Sequence, residues 1–253
     1  MRMTIDINCD LGESTNPEHW ESDALLMPYI SSCNIACGGH AGNEASVRAS
    51  VRNAYSHNLS IGAHPSYPDK ENFGRRSIPI DDDSLRQTIS EQITLVLREC
   101  ESQQTKLSHV KPHGALYNDA AKDLSLALLV AEEVAKISPE LKLMGLAESE
   151  MYEAAKKAGL EFIHEGFMDR NYQADKTLVP RTENNALHES LEDSLNQALS
   201  FALGSPIQTP DNVELQIIID SICLHGDNPN ALSMAKQLYQ RLEEHDFKVR
   251  API

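Results

Sequence analysis

Nothing in this chain approaches the ~18 consecutive apolar residues that would read as a membrane span. Its first residues, Met1-Arg2-Met3-Thr4-Ile5-Asp6, enter a strand-like run at once, with no apolar core and no small-residue cleavage site of an export signal. Basic residues are scarce: 22 Lys and Arg stand against 38 Asp and Glu, for a net charge of −16. Phosphate backbones need a basic surface, so the composition excludes a nucleic-acid partner and predicts a well-solvated exterior. The five cysteines are odd in number and widely spread, and Cys33-x-x-x-Cys37 has no second pair at zinc-site spacing. Reduced thiols in the cytoplasm are the expectation. Also missing are a Walker phosphate loop, a glycine-rich dinucleotide fingerprint, a nucleophile-elbow serine, a Cys-x-x-Cys pair and a His-x-x-x-His pair on one helix. Those absences exclude several familiar catalytic designs and leave no recognisable nucleotide cradle.

What is present is an alternation. Strand-like runs fall at Met3–Cys9, Ser32–Ala36, Leu59–Ala63, Ser108–Lys111, Leu141–Leu146, Leu160–Glu165 and Val213–Leu224. Between them lie helical patterns. Leu85, Ile89, Ile93, Val96, Leu97 and Cys100 recur at intervals of three and four and make one buried stripe, with Ser84 and Gln87 as a capping-box candidate after Asp81-Asp82-Asp83. Leu124, Ala127, Leu128, Ala131, Val134 and Ala135 repeat the period until Ser138-Pro139 stops it. Asn43 reads as the N-cap of a helix carrying Val47, Val51, Ala54 and Tyr55. Such alternation predicts a parallel sheet with crossover helices: an α/β, distorted TIM-like barrel of about seven parallel strands. With no linker and no repeat, it reads as one (β/α)-barrel domain over 1–253; the segment Gly204 to Asn212, with two prolines, reads as a flexible excursion. An open doubly wound sheet is the competing architecture, but its site would gather at one switch point.

The polar residues gather where strands end. The clusters are Asp6 to Glu13, Asn34 to Asn43, Gly62 to Asp69 with Phe73-Gly74-Arg75-Arg76, Val110 to Asn118, Glu165 to Tyr172, Leu178 to Arg181, and Ile222 to Asn228. In a parallel barrel the loops after the strands converge on one mouth, so this pattern points to an enzyme. Asp6, Asn8 and Asp10 share one face of the first strand, and buried carboxylates there need partners or a raised pKa. Asp10 and Glu13 are the candidate catalytic carboxylates; Asp6 and Asn8 read equally as strand-to-strand hydrogen bonders. His40, His64, His113 and His225 each follow a strand beside a turn-forming glycine or proline, as metal ligands with Asp10 or as proton carriers for an amide or acyl centre. His19, His57, His109, His164, His188 and His245 read as surface or structural. Arg75 and Arg76, with Arg170 and Arg181, offer guanidinium forks for a carboxylate or phosphate. Lys111 either sits in the mouth with a pKa lowered by burial or pairs with Asp6 or Asp10. Tyr117 and Asn118 complete a substrate contact, and Asp169 and Asp227 are placed to orient a histidine or arginine.

The segments VKPHGALYN and GAHPS followed by FGRR, with the clusters around Asp6–Glu13, Asn34–Gly42, Glu165–Arg181 and Ile222–Ala231, resemble the LamB/YcsF family in its own order over almost the whole chain. The resemblance implies a barrel akin to the glycoside hydrolase/deacetylase superfamily. It implies a part in ATP-dependent hydrolysis of the lactam 5-oxo-L-proline (pyroglutamate) to L-glutamate, with 5-oxoprolinase subunits B and C as partners and Mg2+ accompanying the ATP. A homo-oligomer is compatible with it. The family's motif positions fall on Asp10, Glu13, His40, His64, Arg75, Lys111, His113, Asp169, Arg170 and His225. On this reading Asp10, Glu13, His64, Lys111 and His113 are catalytic. Asn34, His40, Arg75, Tyr117, Asn118, Asp169, Arg170 and His225 bind substrate, and no residue is assigned to a metal. Gly39 stands where phenylalanine is common, Asn43-Glu44 replaces Asp-Pro, Asn72 replaces a glycine, and Met168 and Lys176 replace an alanine and a glycine. Two other functions compete. One is a metal-dependent deacetylase or amide hydrolase with Asp10, His40 and His64 as ligands; the other is a non-catalytic, lactam-binding role.

Overall fold

The computed structural model describes residues 4–226 and 230–252; Met3, Asp227 and Asn228, named above, lie outside them. Seven parallel strands close a barrel: β1 (Thr4–Leu11), β2 (Ser32–Ala36), β3 (Ser60–His64), β4 (Leu107–Val110), β5 (Lys142–Leu146), β6 (Phe162–Phe167) and β9 (Ser221–Leu224). Closure comes from β9, which pairs with β6 through Glu165↔Ser221 and with β1 through Asp6↔Ser221. An open sheet is thereby excluded. Below that register β1 turns to β10 (Lys248–Val249), a short parallel strand with no sequence signal of its own.

The expected Val213–Leu224 strand divides. Glu214–Leu215 forms β8, antiparallel to β7 (Ile207–Gln208), and only Ser221–Leu224 joins the barrel. A continuous apolar run signals burial but not which sheet it enters. The segment read as a flexible excursion contains β7 and is held by this hairpin; Asn212, at φ 60, makes its turn.

Between strands run α1 (Pro17–Leu26), α2 (Glu44–Ser56), α3 (Asp82–Ser102), α4 (Gly114–Ala120), α5 (Leu124–Ile137), α6 (Glu150–Ala158), α7 (Leu191–Leu203) and α8 (Ala231–Glu244). Asn43 caps α2 as expected, in a reciprocal box with Ser46. The α3 cap is Asp81, which accepts from the Ser84 amide, rather than Ser84 itself; a carboxylate both satisfies the amide and complements the helix dipole. No described helix is long and apolar enough to cross a membrane.

Strand β1 shows how the core is divided. Ile5, Ile7, Cys9 and Leu11 belong to the buried apolar cluster between sheet and helices, whereas the alternate positions Asp6, Asn8 and Asp10 turn into the barrel. The interior is therefore polar along this strand. It is filled by hydrogen-bonded side chains, as buried polar groups require.

Candidate active site

At the base, Asp6 accepts from the hydroxyls of Ser31 (2.5 Å), Ser32 (2.8 Å) and Ser221 (2.5 Å). Burial pushes its carboxyl up to about 6 against those hydrogen bonds. One layer up, Asn8 donates to Ser221 and accepts from Asn34 (2.8 Å) and Lys111 (3.2 Å). Asn34 also donates to Asp10 (2.8 Å) and accepts from His109 Nε2 (2.8 Å), which has room because residue 62 is glycine; a Cβ there would lie 2.2 Å from that nitrogen. Asp6 and Asn8 thus bond across strands, and Asn34, expected on substrate, braces Asp10 from below the pocket.

Lys111 is the hub. Its Nζ lies 2.9 Å from Asp10 Oδ1 and 2.7 Å from Glu165 Oε1, with Cys223 Sγ at 3.3 Å. Burial alone would lower its pKa, which was one of the two expectations; Asp10, Cys223 and Glu165 overcome burial and raise it well above the ordinary lysine range. The other expectation, pairing with Asp10, is what the structure has. Burial likewise opposes ionisation of Asp10, yet His64 and Lys111 hold its carboxyl well below the usual range. Glu165, which the sequence reading did not single out, also accepts from the Tyr117 hydroxyl at 2.7 Å. Its one available signal was an acidic residue closing the expected run Leu160–Glu165, which Glu161 and His164 share.

Beside Asp10 stand three histidines. His64 Nε2 is 3.3 Å from Asp10 Oδ2, and His64 Nδ1 donates to the Lys111 carbonyl at 2.7 Å. His113 Nε2 donates to the Phe73 carbonyl at 3.0 Å. Its Nδ1 faces His64 Nε2 at 3.0 Å. His40 stacks on His113 with ring centroids 3.7 Å apart, and its Nε2 is 3.4 Å from Glu13 Oε1. Burial holds His40 down to about 2 and lowers His113 strongly, so both rings are neutral.

Backbone shape brings these loops together. Phe73 (φ 55) and Gly74 (φ 61) adopt left-handed conformations, and Gly114 (φ 58) passes so close that a Cβ would lie 2.5 Å from the Gly74 oxygen. Only glycine tolerates both demands at 114. Gly39 has a similar reason: the Gln92 amide, bonded to the Ser66 backbone, occupies the space a side chain at 39 would need.

These groups face a cavity of about 430 Å³, within the size range of small-ligand clefts. Asp10, Glu13, His64, Lys111 and His113 line it, joined by Tyr117 and Asn118 of α4 and by Phe167. Arg75 is exposed at its edge, with its guanidinium 4.9 Å from the Phe73 ring centroid. Arg170 reaches the wall, but its guanidinium is committed to the carbonyls of Val179 (2.5 Å) and Ala186 (3.3 Å). His225 receives a hydrogen bond from Arg181 (2.9 Å) and donates through Nδ1 to Asp169 (2.8 Å). Asp169 thus orients a histidine, one of its two expected roles, and does not line the cavity where the other, substrate binding, would place it. His40 and Asn34 also lie behind the lining.

The model of the LamB/YcsF family matches residues 5–253. The chain belongs to the LamB/YcsF family. Curated relatives named as the A subunit of 5-oxoprolinase share its full length. The protein of Histophilus somni is 42% identical over 98% of this chain and 99% of its own, as is that of Neisseria meningitidis serogroup B over the same shares. A crystal structure of a lactam utilization protein from Thermus thermophilus superposes with a TM-score of 0.92 at 33% identity, covering 99% of this chain and 100% of that one. The fold expectation, a TIM-like barrel of seven parallel strands, is thereby met.

Proposed function

We propose that this chain is the A subunit of an ATP-dependent 5-oxoprolinase, opening the lactam of 5-oxo-L-proline to L-glutamate together with subunits B and C. The observation that carries the reading is the Asp10–Lys111–Glu165 network at the floor of a small cavity, beside a histidine cluster and below an exposed Arg75. The relatives' name supports the same substrate. The whole chain serves as one barrel domain, and the nucleotide with its Mg2+ is held with the partner subunits, since the sequence carries no phosphate loop.

A five-membered lactam is a stable amide. Transfer of a phosphoryl group from ATP to its carbonyl oxygen makes the ring carbon electrophilic. Water adds there, the carbon–nitrogen bond breaks as the nitrogen takes up a proton, and a second water releases phosphate from the resulting γ-glutamyl phosphate to leave L-glutamate. Arg75 binds the substrate carboxylate, as a guanidinium fork does. Asp10 is held too weakly basic to take a proton outright, so it orients the attacking water as a fixed anion. Lys111 keeps that anion in place. The His64–His113 edge of the cavity lies toward the lactam oxygen and the ring nitrogen. Tyr117, Asn118 and Arg170 shape the ring's enclosure, and Asp169 with Arg181 fixes His225.

The test is glutamate release from 5-oxo-L-proline and ATP, by this chain alone and with subunits B and C. Turnover in the mixture is expected, and Asp10→Asn should cut it by about 10²–10³-fold. No turnover in a demonstrably assembled mixture refutes the assignment, and an Asp10→Asn rate within about threefold of wild type refutes the role of Asp10.

A further inference from the structure

The His64–His113 pair has a proton-counting problem. His64 spends its Nδ1 proton on the Lys111 carbonyl, and His113 spends its Nε2 proton on the Phe73 carbonyl. With both rings neutral the remaining nitrogens, His64 Nε2 and His113 Nδ1, are both acceptors, whereas a charged His64 carries a proton on Nε2. They face each other at 3.0 Å, with Asp10 Oδ2 3.3 Å from the first and Glu13 Oε1 3.9 Å from the second. Two lone pairs do not face each other at this distance without something positive between them. A single added proton would reconcile the two facing nitrogens. It would leave His40 with both ring nitrogens buried and without a hydrogen-bond partner, which proteins rarely tolerate.

We propose that Glu13, His40, His64 and His113 hold one divalent transition-metal ion of the zinc class. One ligand atom from each of the four lies within 4.8 Å of the others. Ligands at about 2.0–2.1 Å from a tetrahedral ion stand roughly 3.3 Å apart. The His64–His113 and His40–Glu13 separations of 3.0 and 3.4 Å are already of that size. Three imidazoles and one carboxylate suit zinc or cobalt better than magnesium or calcium. The backbone carbonyls on the far nitrogens of His64 and His113 are the partners that usually orient metal-bound histidines. His40 lies parallel to His113, so its ring must tilt to bring Nε2 round to the ion.

The set differs from the Asp10–His40–His64 trio of the competing sequence reading. Asp10 is engaged by Lys111 and is left at the edge, where it meets the cavity. An ion here would polarise a bound carbonyl oxygen. Its binding does not depend on which substrate the cavity takes, so a failure of the lactam reading leaves it standing.

The experiment is a titration of the chelator-treated full chain with Co2+ and Zn2+. It is read by cobalt visible absorption, calorimetric stoichiometry and thermal unfolding, none of which needs turnover. About one equivalent is expected, with a dissociation constant of about 1 µM or tighter and a raised Tm. His113→Gln and Glu13→Gln should each weaken binding by about 100-fold or more, while the exposed His57→Ala should not change it. Should His113→Gln fail to fold, Glu13→Gln, whose side chain is partly exposed, carries the comparison. Absence of saturable binding by the wild type overturns the proposal and leaves a shared proton between His64 and His113. Unchanged affinity in the folded variants overturns it equally.

Discussion

Lys111 is the residue on which the barrel interior balances. Two carboxylates, the nearly buried Asp10 and the fully buried Glu165, meet one ammonium at the cavity floor, so removing the ammonium strands both. Breaking a buried pair in this way costs about 3–5 kcal/mol. Lys111→Met should therefore lower the urea-unfolding free energy by about that amount, with loss of turnover as a consequence. A loss under about 1 kcal/mol would mean that the carboxylates find protons or water instead. The lysine was visible in the sequence as VKPH; its partner Glu165 was not, because nothing within β6 says which residue of another strand it will face. The same limit applies to His109, grouped with structural histidines on sight, whose hydrogen bond to Asn34 depends on a glycine in the neighbouring strand.

Among the elements, helix α2 was legible from its cap. Asn43 and Ser46 exchange hydrogen bonds there, far enough from the cavity that only stability should register a change. Asn43→Ala should cost about 1 kcal/mol, seen as a lower Tm with kcat unchanged. An altered kcat would show that the loop from Gly38 to Asn43 shifts His40 when the cap is lost. Strands with strong local patterns, such as Ser32–Ala36, appeared where periodicity placed them. The run from Val213 to Leu224 did not, because its residues satisfy a hairpin and a barrel strand equally well until β6 and β1 compete for them. Two-residue β10 lies below what any periodicity can reveal.

At the scale of the whole molecule, buried ionisable groups set opposing responses to pH. His40, His109 and His113 stay neutral in the fold, lowered first by burial, and their unfolded counterparts charge below about 6.5. Stability from these three is present above that pH and is lost on acidification. Asp6 works the other way. Its folded pKa of about 6 lies above the ordinary 3.8, so its contribution is present below about pH 4 and lost as the pH rises through 6. Asp6→Asn removes this response. Measured by urea unfolding at each pH, the variant should gain on wild type by about 3 kcal/mol between about pH 4 and 7. A difference that stays flat across that window would show that Asp6 is not a buried carboxylate of raised pKa.

The sequence by itself determined the alternation of strands and helices, the side of the barrel on which chemistry gathers, and most of the polar residues that gather there. Those are local properties: periodicity, caps, and turns that need glycine or proline. The tertiary structure alone decided who meets whom. It turned Lys111 from a lysine of uncertain charge into a clamped cation and Asn34 into a brace, and it bound the Arg170 guanidinium to backbone carbonyls. It also pointed the lone pairs of His64 and His113 at one place. Distances between side chains on different strands depend on register and closure, and those are fixed only when all seven strands have found their neighbours.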